Sequence, residues 1–471
     1  MIKDATIIKI SSKLTECLGL LKKYDWLLNS YVLDFYIKDH WQQLPVSWQR
    51  HFENLPIEAL AELLQGNGNV RFNIWPLELL AIRQLLSTLC VSRIQNREIE
   101  QTLPSCPLLQ HHKLKHMFIK CVKPKKQHEI KKMASICARS CQRLPVDFVV
   151  DFGAGLGHLA RVLGYGYGIK VCCFEMQTEL NEQAKLIDKR LESMAAKHLD
   201  VRERDHFKQP AHLTERLTNN TTSSEFIESL RKALQLVDED FSFGIVGLHP
   251  CGDLCAILMR MFKSCKQAKF LNFVGCCYQK LSTSQTQPEA QLHGYPMSEL
   301  LQNRLHNDDS DGSSVQLSYE AREVACHAIE MYHDRLATGQ YEYLKIHSFR
   351  AAAERIIVEH TPELKHSGLR NVKHTPNMSF DDYFYKAVQG TRIYTLNRSL
   401  LHNSETETDL LHWRRIVIFY TLRLMLAPLV ESIILYDRML FLLENGCQVH
   451  IEAIFDSIIS PRNHITSAAK Y

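Results

Sequence analysis

The sequence predicts an α/β protein: a doubly wound sheet with helical regions before and after it in the chain. Three observations predict this. Four short apolar, β-rich runs, DFVVDF, IKVCCFE, FSFGIVGL and AKFLNFVGC, lie between residues 147 and 276. Helical patterns alternate with them. In DLCAILMRMFKSC, for instance, Leu254, Ile257, Leu258, Met261 and Phe262 form one apolar face. A glycine-rich turn follows the first run. Continuous apolar strands separated by helices read as a parallel sheet covered on both faces.

The flanks are read the same way. Leu14, Cys17, Leu18 and Leu21 recur at helical spacing, and residues 1–120 are predicted to form a helical region. The sheet domain is placed at 121–285, with a polar insertion near 202–226 that contains NNTTSS. Residues 286–471 are expected to be mostly helical. Pro428 is predicted to break the apolar stretch there, and Gly446 to stop a helix.

The bulk properties narrow the class. A chain of 471 residues is expected to hold two or three domains. A net charge of +4 is too small to argue by itself for nucleic acid. The 15 cysteines follow no regular framework, so reduced thiols in the cytoplasm or nucleus are expected. The start MIKDATIIKISSK lacks a signal-peptide core, and charges interrupt the apolar region 416–443, so no membrane partner is expected.

The glycine turn reads Asp151-Phe152-Gly153-Ala154-Gly155-Leu156-Gly157. Glycines let a turn tighten and let a ligand approach the backbone. A dinucleotide fingerprint has a third glycine where this chain has His158. Asp151 at the strand end would repel a pyrophosphate and suits a cationic ligand. S-adenosylmethionine carries positive charge on its amino group and its sulfonium. Glu175 ends the next strand, 24 residues after Asp151, where a carboxylate can accept from both ribose hydroxyls. The reading is therefore S-adenosylmethionine held by Asp151, Gly153, Gly155, Gly157 and Glu175, with His249 as a further contact. A turn that needs small residues only for packing is the bland alternative. A nicotinamide-dependent oxidoreductase is a weaker one, disfavoured by Asp151 and His158.

Separated motifs extend the reading. VDFGAGLGHLAR, GLHPCGDL, VGCCYQKLS, GYPMS, LAPLVESIILYDR and SPRN occur in this order. DFYIKDHWQQLPVSWQ and KPKKQHEIKKM precede them. Together they resemble the methyltransferase-like proteins also called rRNA adenine dimethylase domain-containing. The resemblance implies a seven-stranded class I methyltransferase domain of Rossmann-like type, with S-adenosylmethionine as cofactor. Adenine N6 methyltransferases carry N-[LIV]-P-[YF] after the fourth strand, to hold and stack the base. This chain has Leu248-His249-Pro250-Cys251-Gly252-Asp253 there, without the Asn or the aromatic.

Ligands of such sheets lie beyond the carboxyl ends of the strands. The predicted catalytic set is therefore His249, Asp253, Cys276 and Tyr278. His249 is a candidate general base. Asp253 is a base, or an N-cap of the following helix. Cys276 is a methyl relay, or a small buried filler together with Cys277. No metal is predicted. His249, Cys251, Cys276 and Cys277 are suitable ligand types, but neighbouring cysteines on a strand point to opposite faces and no C-x₂-C pair occurs. Lys123, Lys125, Lys126, Lys131 and Lys132 could meet RNA phosphates, or simply be a solvated helix start. Glu129 is expected near the cofactor, and SPRN has no assigned place. The expected function is methyl transfer to a nitrogen of RNA or protein. The alternative is an inactive methyltransferase-fold scaffold that binds protein or RNA.

Overall fold

The computed structural model describes residues 2–65, 73–96, 103–109, 111, 114, 115, 118, 122–238, 240–310, 316–373, 375, 377–395 and 398–470. These divide into two compact units. One comprises residues 1–16, 91–314 and 432–471; the other comprises 17–90 and 315–431.

The first unit is built on a seven-stranded sheet of order β3-β2-β1-β4-β5-β7-β6. Its strands are β1 (Phe148–Phe152), β2 (Val171–Glu175), β3 (Ala211–Thr214), β4 (Phe243–Leu248), β5 (Ala268–Val274), β6 (Gln448–Ala453) and β7 (His464–Ala469). Strands β1 to β5 pair in parallel, and β7 runs antiparallel to both β5 and β6. This is the class I methyltransferase arrangement.

Alternation along the strands divides the core into two layers. Phe148, Val150, Phe152, Phe174, Phe243, Ile245, Leu271 and Phe273 face one layer, with the Ser223–Leu234 and Leu254–Ser264 helices. Val149, Val171, Cys173, Val246, Phe270 and Val274 face the other, with the Pro124–Arg143 and Thr178–His198 helices. Both faces are thus covered, which is why the central strands are apolar at nearly every position.

Two expectations are corrected here. The segment 202–226 is not only an insertion: it contains β3, which pairs with β2 from Cys172↔Ala211 to Glu175↔Thr214. The C-terminal residues are not a separate helical region, because β6 and β7 complete the sheet beside β5. The domain bounds 121–285 are accordingly too narrow, and each unit is discontinuous in sequence.

The second unit is helical and draws on both flanks. The Glu342–His360 helix buries Ala351, Ala352, Ala353, Ile356 and Ile357. Tyr36 donates to the Asp409 carbonyl at 2.6 Å and shares a hydrogen bond with Ser348 at 2.8 Å. The buried Arg423 guanidinium donates to the carbonyls of Leu27 and Leu28 at 3.2 and 3.0 Å. Helix Trp413–Met425 ends two residues before Ala427–Glu444 begins, the break predicted at Pro428. Gly446, at φ 86°, lies two residues after the last helical residue, Glu444. The stretch Trp413–Glu444 is long and apolar enough to cross a membrane, but 94% of its most apolar window is buried inside the protein.

Candidate cofactor and acceptor site

The site is built where β1, β2, β4 and β5 end. Gly153, Gly155 and Gly157 adopt φ values of 66°, 57° and 69°, a left-handed run that side chains resist. A Cβ on Gly155 would meet nothing within 4 Å, whereas one on Gly157 would lie 3.0 Å from the His212 ring. The turn is therefore open on one side and packed on the other. The Gly153 and Ala154 amides donate to the Phe174 carbonyl at 2.9 and 3.3 Å and tie the turn to β2.

Glu175 is held in place from both sides. Its Oε2 accepts from the Gly155 amide and its Oε1 from the Gln177 amide, each at 3.0 Å. Each oxygen keeps a second lone pair for a ribose hydroxyl. Asp151 lies one residue before the end of β1 and is only 2% exposed. Its Oδ2 is buried without a hydrogen-bond partner among the described residues. Burial pushes this carboxyl up to about 7; Lys126 pulls it down and Glu175 adds to the rise. An orphaned acid beside an open glycine turn fits a cationic ligand head, and Glu175 fits its ribose.

Beneath the turn lies a network that sequence reasoning missed. Arg161 is fully buried; its Nε donates to Asp188 at 2.6 Å and its guanidinium to the Leu156 carbonyl at 2.9 Å. The other Asp188 oxygen pairs with His212 Nε2 at 2.7 Å, on β3. His158 contacts Arg161 at 3.2 Å, and burial together with that cation pushes its imidazole down to about 4. His158 is thus a neutral part of the support. Arg161 in GLGHLAR was the available signal, because an arginine on an apolar helix start needs a buried partner.

On the acceptor side, His249 has φ 66°, an uncommon conformation for a residue with a side chain. Its Nε2 lies 3.0 Å from Glu129 Oε1. Ser460 donates to the same Glu129 oxygen at 2.5 Å, and Lys125 lies 3.8 Å away. Burial alone would raise Glu129, but the His249 hydrogen bond and charge, with Ser460 and Lys125, hold it below the usual carboxylate range. Glu129 as acceptor places a proton on Nε2 and fixes the ring orientation. Its Nδ1 is buried and has no hydrogen-bond partner among the described residues. The KKQHE, LHPCGD and SPRN motifs therefore meet at one carboxylate, which gives SPRN its place. His128 accepts from the Asp456 amide at 3.1 Å and adds a second tie.

The remaining predicted residues are redistributed. Asp253 occupies the N-cap position of the Leu254–Ser264 helix, but its side chain makes no capping hydrogen bond; its Oδ1 accepts from the Ser282 amide at 2.8 Å, so it anchors a loop and is not a free base. Ser282 accepts in turn from the Gly294 amide at 2.8 Å. Three and four residues after Gly294, the Met297 and Ser298 amides donate to Asp437 at 2.8 and 2.9 Å. Tyr278 is 2% exposed under Arg438, whose guanidinium sits 5.6 Å from its ring centre, so it packs and does not face a substrate. Cys276 is not filler. Its Sγ lies 3.4 Å from both Cys251 Sγ and Cys277 Sγ, and the latter two are also 3.4 Å apart. The argument that Cys276 and Cys277 must diverge fails because β5 ends at Val274 and both lie in the following loop. The hydrogen bond from Cys276 pulls the Cys251 thiol down, while the same contact pushes Cys276 up. Of the predicted lysines, Lys125 faces Glu129 and Lys126 faces the field of Asp151.

A family model described as a methyltransferase domain matches residues 125–284. The human protein named "Probable methyltransferase-like protein 25" is 28% identical over 48% of this chain and 36% of its own length. Its mouse counterpart is 25% identical over 55% of this chain and 41% of its own. The chain therefore spans well under half the length of these curated relatives. Among solved structures, the plantazolicin methyltransferase BpumL in complex with SAH aligns over 77% of this chain and 93% of its own, at 10% identity and a TM-score of 0.21. The chain carries a methyltransferase domain, and the cofactor this domain implies is S-adenosylmethionine.

Proposed function

We propose that the chain transfers a methyl group from S-adenosylmethionine to a nitrogen on RNA or protein, in the cytoplasm or nucleus. The single observation that carries the reading is the Glu129–His249 pair at 3.0 Å, set at the β4 end beside the glycine turn. Asp151 and Glu175 would hold the cofactor's cationic head and ribose, with Gly153, Gly155 and Gly157 letting it approach the backbone. The cofactor supplies an electrophilic methyl group. His249 is the candidate base for the proton that the acceptor nitrogen sheds, and Glu129, 3.0 Å from its Nε2, orients the ring. Adenine of the dimethylase type is the less favoured acceptor, because His249 and Cys251 stand where that chemistry uses Asn and an aromatic.

Two measurements test this. Calorimetry with S-adenosylhomocysteine should show binding, weakened about ten- to hundredfold by Glu175→Ala, the loss expected for hydrogen bonds to a charged group. Folded protein that binds none would sink the reading. Mass comparison of RNA nucleosides and proteins from cells with and without the chain should then reveal one lost methyl mark. The same mark should vanish in cells that carry only His249→Ala. If it persists there while partner binding needs the protein, the scaffold reading takes its place.

A further inference from the structure

The three thiols of Cys251, Cys276 and Cys277 have no task in the reaction just proposed. They come from two loops, one after β4 and one after β5. Their sulfurs form a near-equilateral triangle with sides of 3.4 Å. All three lie within 4.8 Å of one another and form the one such group of potential metal ligands found among the described residues. The spacing is too long for a disulfide, whose sulfurs sit about 2.05 Å apart. It is close to that of a thiolate metal site. An ion about 2.3 Å from each sulfur, in tetrahedral geometry, needs sulfurs about 3.8 Å apart. Opening the triangle by a few tenths of an ångström reaches that value. At the present spacing the ion would sit roughly 1.2 Å above the sulfur plane, with its fourth position on the far side.

The backbone is shaped to make the triangle. Gly252 has φ 56°, and a Cβ there would lie 2.8 Å from the Lys280 carbonyl oxygen. Only glycine lets the Cys251 turn press so closely on the Cys277 loop. His249 is also in the left-handed region, and its carbonyl lies 3.5 Å from Cys251 Sγ and 3.8 Å from Cys276 Sγ. Cys251 is exposed and the other two are partly so, which gives an ion a way in. Soft thiolates in a three-sulfur set select zinc over the hard divalent cations.

We propose that Cys251, Cys276 and Cys277 bind one zinc ion. The ion joins the two loops of the acceptor side and keeps its fourth coordination position for water or an acceptor group. Binding releases the thiol protons and needs no oxidant. The proposal does not depend on methyl transfer, and its readouts use neither methyl donor nor acceptor.

The test is elemental analysis of the full chain, purified under reducing conditions and dialysed against chelator-treated buffer. The expected content is about one zinc per chain, falling below about a tenth in Cys251→Ser and in Cys277→Ser. Cobalt(II) titrated into the reduced, metal-stripped chain should give a thiolate charge-transfer band and strong tetrahedral d–d bands, both absent in Cys276→Ser. Circular dichroism melts show whether each variant is folded. Should a variant unfold, the wild-type cobalt spectrum decides alone. A reduced wild-type chain with neither zinc nor a cobalt–thiolate band would overturn the proposal. So would alkylation mapping that finds a disulfide among these cysteines in the freshly isolated protein.

Discussion

At the scale of single residues, Asp151 carries the clearest linkage. Its buried carboxyl is raised from 3.8 to about 7. Between those values the native state holds a proton that the unfolded chain has released, so stability falls as pH rises through this window and levels off above it. The full shift corresponds to roughly 4 kcal/mol. Asp151→Asn removes the titration, so its melting temperature in ligand-free protein should exceed wild type at pH 8 and match it near pH 4. The same variant should bind S-adenosylhomocysteine more weakly. A cationic head prefers the ionised acid, so wild-type affinity should rise about tenfold per pH unit as pH approaches 7 from below. Calorimetry at pH 6 and pH 8 checks both statements, and a flat affinity would show that Asp151 does not meet the ligand's charge. Asp151 and Glu175 stand where the sequence put them, at the ends of β1 and β2, because apolar runs on both sides mark those strand ends. Asp253 and Tyr278 were misread because spacing alone cannot say whether a side chain turns toward a site or toward a neighbouring loop. Asp253 turns to the Ser282 amide, and Tyr278 lies under Arg438.

At the scale of elements, what was legible followed from burial. The strands β1, β2, β4 and β5 are covered on both faces, so each reads as an apolar run. β3 was missed because AHLT is an edge strand with three half-buried residues and one exposed residue. It carries little hydrophobic signal, yet it supplies His212 to Asp188 and Thr214 to Asn181, the latter at 2.7 Å. β7 was missed because its partner β5 ends at Val274, far back in the chain, and β6 went with it because it pairs only with β7; register between distant strands leaves no local mark. The supporting network makes a prediction at this scale. Asp188→Ala leaves the Arg161 guanidinium buried without its carboxylate, which should destabilise the first unit by about 3–5 kcal/mol. Asp188→Asn, which keeps the shape, should cost less. Denaturant titration followed by tryptophan-independent circular dichroism measures both, and equal losses would argue that the charge of Asp188 is not what holds Arg161.

At the scale of the whole molecule, the chain leaves the sheet after β5 and returns to it after residue 432. The helical unit, residues 17–90 and 315–431, is drawn from both flanks in the same way. The sheet would otherwise end at β5, with its row of backbone donors and acceptors unpaired. The returning segment pairs that edge and also delivers Ser460 to Glu129 and Asp437 to the Met297–Ser298 amides. A chain cut at the bounds read from sequence, 121–285, keeps the glycine turn and the cysteine loops but loses every one of these contacts. It should therefore show no cooperative thermal transition. A fusion of residues 91–314 to 432–471 through a short flexible linker restores the complete sheet and both carboxylate clusters. It should melt cooperatively and bind S-adenosylhomocysteine within about threefold of the full chain, since loop closure through a short linker adds little entropy cost. Cooperative folding of 121–285 alone would show that the last two strands are an addition to the fold rather than a condition for it.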